Sequence, residues 1–109
     1  MSSISASIVA STLASTVALG GCRLDARQCD QACRNASSLA FWKAADQEIA
    51  AAPADQRDAL RQQKQTKLTQ DLAAGIEGCV LQCQSSRNQD TVDCLIAART
   101  AEQVQVCTR

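Results

Sequence analysis

Cysteine is the one residue type in this chain whose number and spacing could do chemistry. Seven are present, at positions 22, 29, 33, 79, 83, 94 and 107, and histidine is absent. Without histidine the usual general base is missing, and so is the commonest metal ligand. A Ser or Cys triad of the familiar kind is excluded, and no catalytic residue is expected. Cys29/Cys33 and Cys79/Cys83 are both i, i+4 pairs, so on helices each pair sets two sulfurs on one face. Such sulfurs can close disulfides, offer thiolates to Cu(I) or Zn, or exchange electrons. Electron exchange favours C-x-x-C with a depressed thiol pKa, and that spacing does not occur. Disulfides are the expectation, with no metal or cofactor. The alternative is a copper- or zinc-binding bundle through Cys29, Cys33, Cys79 and Cys83.

The elements that position these sulfurs follow from pairing geometry. Two antiparallel helices meeting along their cysteine faces join the first cysteine of one motif to the last of the other. The expected bridges are therefore Cys29–Cys83 and Cys33–Cys79. Both are centred on residue 56, three positions from Pro53, the only proline. Cys94 and Cys107 remain. Thirteen residues along one straight helix would separate them by about 20 Å, whereas a disulfide needs Cα atoms within about 7 Å. The chain must fold back between them, and Thr100-Ala-Glu-Gln103 supplies a capping box for the restart.

Glycine and proline are nearly missing after Cys22, strand-like alternation is absent, and good helix formers dominate. The fold class is all-α: a disulfide-stapled antiparallel helical hairpin over 25–85 and a short helical corner over 90–107. Helix 1 is expected to start at Asp25, with Gln28 completing a capping box. Its face is Cys29, Ala32, Cys33, Ala36, Leu39, Ala40, Trp42 and Ile49, which makes Trp42 a core residue and leaves Phe41 on the flank. Pro53 ends this helix and suits the first turn of the next. Helix 2 runs through about Cys83 on the stripe Leu60, Leu68, Leu72, Ile76, Cys79, Val80 and Cys83. Gly75 and Gly78 beside that stripe allow either a close helix approach or a kink. Asp90 is expected to cap a third helix.

Twin C-x3-C motifs placed symmetrically about a turn resemble the α-hairpin scaffolds of plant α-hairpin peptides and of the small translocase chaperones of the mitochondrial intermembrane space. The resemblance rests on Cys29, Cys33, Cys79 and Cys83. Here 45 residues separate the motifs, more than in those families, so it implies the cross-linked hairpin and not their activities. A secreted hairpin inhibitor or defence peptide stays open as one reading.

The odd cysteine has its own context. Residues 1–21 hold no charged side chain, are rich in Ala, Ser and aliphatic residues, and end in Leu19-Gly20-Gly21-Cys22. That segment resembles the lipobox of bacterial lipoprotein signal peptides. The resemblance implies removal of 1–21 and a fatty-acyl (palmitate-type) modification of Cys22 at the head of a 22–109 domain. It further implies a membrane partner through that anchor and a place in the bacterial cell envelope. Arg23 is not the aspartate linked to inner-membrane retention, which favours the outer membrane. An ordinary signal peptide or a mitochondrial-type leader are alternatives, the latter opposed by the lack of arginine before residue 23. With Cys22 taken by lipid, six cysteines make three disulfides and no thiol is left over.

The rest of the composition narrows the function. All eleven basic and all eleven acidic residues follow Cys22, so the net charge is zero with or without the leader. This gives no electrostatic footprint for nucleic acid. Phe41 and Trp42 are the only aromatics, so the core is thin and needs its staples. Acidic pairs such as Asp46/Glu48, Asp55/Asp58 and Asp90/Asp93 are expected to cap or solubilise. Arg57, Asp58, Arg61, Lys64, Lys67 and Asp71 form a solvated face with Asp58…Arg61 as an i, i+3 pair. A structural or protein-interaction role at the envelope is the expected function.

Overall fold

The computed structural model describes residues 23–109; the leader, the lipobox-like segment and Cys22 lie outside the described residues. The order is α1 (Ala26–Ala51), a 3-10 turn (Ala54–Gln56), α2 (Arg57–Ser86), α3 (Gln89–Ala97) and α4 (Ala101–Cys107). No strand occurs among the described residues. The all-α class, the clasped hairpin and the C-terminal corner are as the sequence predicts.

Each helix end has a local cause. Asp25 caps α1, its Oδ1 accepting from the Arg27 N–H at 2.7 Å. The reciprocal half of the predicted box is not made, because the Gln28 carboxamide oxygen instead accepts from Gln89 Nε2 at 2.9 Å. That bond ties α1 to α3. Ala52 is extended ahead of Pro53, as a residue before proline prefers. Pro53 then precedes a 3-10 turn, where the Gln56 N–H donates to its carbonyl at 2.9 Å; it does not enter the first turn of α2. Arg57 opens α2 and bends back, donating to the carbonyls of Ala52 at 3.0 Å and Ala50 at 3.3 Å. A cation thus satisfies two acceptors at the negative end of α1.

Beyond Cys83, α2 continues to Ser86 and stops at Arg87, which is left-handed at φ 56°. Asn88, and not Asp90, caps α3: its Oδ1 accepts from the Thr91 N–H at 3.1 Å, and Asp90 lies inside the first turn. Asparagine and aspartate cap comparably well, so the choice falls to where the chain leaves α2. Thr100 caps α4 as predicted, accepting from the Gln103 N–H at 3.1 Å. Gln103 reaches back to the Arg99 N–H at 2.6 Å.

Helix α1 is the centre of the packing. It meets α2 along one side, while α3 and α4 pack on it and on each other. Buried side chains are few and small: Cys29, Ala32, Cys33, Ala45, Ile49, Leu68, Val92, Ala98 and Ala101. Trp42 is only half-buried, as is Phe41, and their rings meet edge-to-face at 5.5 Å. The expectation of a core Trp42 is therefore corrected. Buried Ala45 and Ile49 take the seam beyond the bridges instead.

Two further expectations change. A Cβ built at Gly75 or Gly78 would meet nothing within 4 Å, so neither glycine serves a close approach. Arg61 pairs with Asp46 at 3.7 Å across the hairpin and not with Asp58. Lys64 likewise pairs with Glu48, and Lys67 with Asp71 at 3.2 Å. These mostly exposed pairs contribute about 0–1 kcal/mol each; Arg61–Asp46 and Lys64–Glu48 cross between α1 and α2, whereas Lys67–Asp71 lies within α2.

Candidate functional site: the disulfide clasp and the stapled corner

The structure closes all six cysteines of the described residues as predicted. Cys29–Cys83 and Cys33–Cys79 bridge α1 to α2, and Cys94–Cys107 bridges α3 to α4 with Cα atoms 5.7 Å apart. The two C-x3-C faces meet head to tail, as i, i+4 spacing on antiparallel helices requires.

Burial is uneven across the three bridges. Cys29 and Cys33 are buried at 0% and 5% exposure. Their α2 partners are less covered, with Cys83 half-buried and Cys79 exposed; Cys94 is exposed and Cys107 half-buried. Cys29, Ala32 and Val92 form the innermost cluster, and Leu24, Val80, Cys83, Leu95 and Ile96 pack around it. The first residues after Cys22 are thereby built into the domain, and Gln84 Nε2 also donates to the Leu24 carbonyl at 3.2 Å.

Asn35 holds the corner to the hairpin. From the middle of α1 its Nδ2 donates to the carbonyls of Leu95 at 2.7 Å and Ala98 at 2.9 Å, with Ile96 at 3.5 Å. These are acceptors of the last turn and C-cap of α3, which no intrahelical N–H can reach. The sequence reading missed this residue. A lone asparagine between Arg34 and Ala36 carries no periodic or capping signal, and its partners lie about sixty residues away.

A second tie is electrostatic. Lys43 Nζ on α1 meets Glu102 on α4 at 2.5 Å. The Lys43 hydrogen bond holds the Glu102 carboxyl below its ordinary pKa, helped by its own backbone N–H and by the lysine's charge.

Besides a cleft of about 300 Å³ between α2 and α3, lined by Cys79, Cys83, Val92 and Leu95, two others flank the bridges. One, of about 260 Å³, lies between α1 and α2 beside Cys79, among Ser37, Phe41, Leu68, Leu72 and Ile76. The other, of about 310 Å³, sits on the corner, where Cys94 and Cys107 are surrounded by Ala97, Ala98, Gln103 and Val106. With their sulfurs joined, the hairpin cysteines present no thiolate. Among the described residues no group of three or more His, Cys, Asp or Glu side chains is placed to hold a metal. No helix of the described residues is long and apolar enough to cross a membrane. Comparison with protein-family models, curated proteins and solved structures found no match to this chain.

Proposed function

We propose that this chain is a lipid-anchored protein of the bacterial cell envelope, acylated on Cys22, with a structural or protein-interaction role. The observation that carries the reading is a cysteine count. Six cysteines are consumed by three bridges within the described domain, and the seventh is the one that ends Leu19-Gly20-Gly21-Cys22. A secreted disulfide scaffold leaves no thiol without a purpose, and acylation gives Cys22 one.

The domain's construction supports the same reading. Leu24 packs into the clasp cluster, so the domain starts two residues beyond the proposed anchor. From there α1, 26 residues long, extends about 39 Å at 1.5 Å per residue. A clasped hairpin of that length on a lipid anchor acts as a short stalk with its Pro53 turn held away from the bilayer. With Arg23 and not an aspartate after the anchor, the lipoprotein resemblance favours the outer membrane.

Intact-mass spectrometry of protein from its native membrane fraction tests this, with alkylation before and after reduction. The expected species starts at Cys22, carries acyl mass and shows six alkylations that need reduction. Cys22→Ser is expected to move the protein into the soluble or unprocessed pool. A full-length chain with residues 1–21 attached and no lipid on Cys22 overturns the reading.

A further inference from the structure

Three candidates outside the anchor stand out: the Phe41 cleft, the exposed flank of α2, and the Cys94–Cys107 corner. For the first two, nothing in the structure says what covers them, whereas the corner carries its own chemistry. We propose that Cys94–Cys107 is a thiol–disulfide exchange site, opened by a dithiol reductant while the two hairpin bridges stay closed, and that its opening releases α4.

Access separates this bridge from the others. The hairpin bridges each bury their α1 sulfur-bearing residue, Cys29 at 0% and Cys33 at 5% exposure. The corner bridge buries neither: Cys94 is exposed and Cys107 half-buried, and both line the corner cleft beside Val106, which is 60% exposed. A thiolate must approach a disulfide sulfur directly to attack it. Cys79 is exposed as well and lines a cleft with Cys83, but attack there must expel the thiolate of buried Cys33, whereas at the corner neither cysteine is buried. The cleft's largely apolar wall of Ala97, Ala98 and Val106 suits an apolar side chain next to an attacking cysteine.

Span separates it again. Cys94–Cys107 encloses 13 residues, against 54 and 46 for the hairpin bridges. The longer a closed span, the more a bridge constrains the unfolded chain, and the nested hairpin pair together holds the long span, so opening the corner leaves the domain's main constraint in place.

The exchange balances without any group beyond the dithiol. A reductant thiolate attacks Sγ of Cys94, forming a mixed disulfide and expelling the Cys107 thiolate, which takes a proton. The reductant's second thiol, as thiolate, then attacks its own sulfur in the mixed disulfide and expels the Cys94 thiolate, which is protonated in turn. Two electrons and two protons pass to the pair, and the dithiol becomes a disulfide. The structural consequence is local. At seven residues α4 is too short to persist as an isolated helix. Without the bridge it keeps the Thr100 cap and the Gln103–Arg99 bond at its start, buried Ala101, half-buried Val104 and the exposed Lys43–Glu102 pair. Helix α3 stays, since Asn35 and the Val92 cluster hold it to α1.

The test is partial reduction of the folded chain with graded dithiothreitol, then acid quenching, alkylation and peptide mass mapping. Expected is alkylation of Cys94 and Cys107 at least tenfold faster than of the four hairpin cysteines, with faster amide exchange confined to α4. Equal rates for all three bridges, or earlier opening of a hairpin bridge, overturn the proposal. A Cys94→Ser/Cys107→Ser variant provides a second arm that needs no reductant. It is expected to keep both hairpin bridges and most helical signal; loss of α3 or scrambling of the hairpin cysteines overturns the release of α4 as a separate event.

Discussion

Replacing Asn35 with alanine tests whether the corner is held by one carboxamide. The substitution removes two short hydrogen bonds, at 2.7 and 2.9 Å, and strands the carbonyls of Leu95 and Ala98 in a part-buried seam. A neutral hydrogen bond contributes about 0.5–1.5 kcal/mol net, and an acceptor left unsatisfied away from water costs more than a bond simply exchanged for water. The two together give a loss of about 2 kcal/mol. For a domain of this size that is a fall in Tm of about 8–16 °C, read by calorimetry with the disulfides intact. Amide exchange should accelerate most in α3 and α4 and less in α2, which the two hairpin bridges hold to α1.

Asn35→Asp sharpens the test. At neutral pH aspartate has no proton to donate and sets a negative charge against carbonyl oxygens at the negative end of α3. It should be worse than alanine, and acidification should recover part of the loss as the carboxylic acid regains one donor. That is the sign expected when folding raises a carboxyl pKa: stability is present below the folded value and lost as pH rises through it. An Asn35→Ala protein within about 0.5 kcal/mol of the parent, the range of an ordinary surface change, would refute the clamp. So would an Asn35→Asp protein more stable than Asn35→Ala at neutral pH.

Gly75→Ala and Gly78→Ala should each stabilise the protein by about 0.5–1 kcal/mol in thermal unfolding, because a Cβ there meets nothing and alanine is the better helix former; a loss of stability at either site would refute open space above it. Arg87→Gly should stabilise by about 1 kcal/mol by relieving a left-handed side-chain-bearing residue at φ 56°, whereas a proline there should prevent the turn. Glu102 should titrate below the ordinary glutamate range in carboxyl NMR, and Lys43→Met should raise it toward that range, the backbone hydrogen bond still holding part of the shift. Its pKa is lowered on folding, so the pair's contribution is present at neutral pH and lost as pH falls through the folded value. An unchanged Glu102 titration in Lys43→Met would refute the pair.

The hairpin and all three bridges were legible because they follow from spacing alone. Residues four apart on a helix share a face, two such pairs dictate a register, and a register centred on residue 56 needs a turn where Pro53 stands. Thr100 was legible for the same reason, since a capping box is complete within four residues. What the sequence did not show is which helix stands at the centre. That choice is made by contacts about sixty residues apart: Asn35 to Leu95 and Ala98, Gln28 to Gln89, Leu24 to Gln84. Polar residues in a helix carry no mark of which distant carbonyl they serve. Trp42 was misplaced because periodicity gives direction but not the gap between helices, and a clasped seam favours small residues.

The placement of the bridges explains why a core this small suffices. Of the nine buried residues, four are alanines and two are cysteines, so the seam buries little apolar area per turn. Two nested bridges at one end of the hairpin constrain spans of 54 and 46 residues, the first to close contributing about 4 kcal/mol in the chain-entropy model and the second adding a smaller ring that locks the register. At the other end Arg57 caps α1, while Asp46–Arg61 and Glu48–Lys64 align the helices. Strong covalent constraint lies next to residue 22 and weaker, solvent-exposed pairing lies toward Pro53. If Cys22 carries a lipid, the end facing the membrane is the end that cannot come apart, and fraying is confined to the distal turn. The corner runs along α1 from Gln28 near the anchored end, past Asn35, to Lys43 in the distal half. Its own bridge is the one in which neither cysteine is buried, so on the exchange proposal a reductant would loosen α4 first and leave the hairpin clasped.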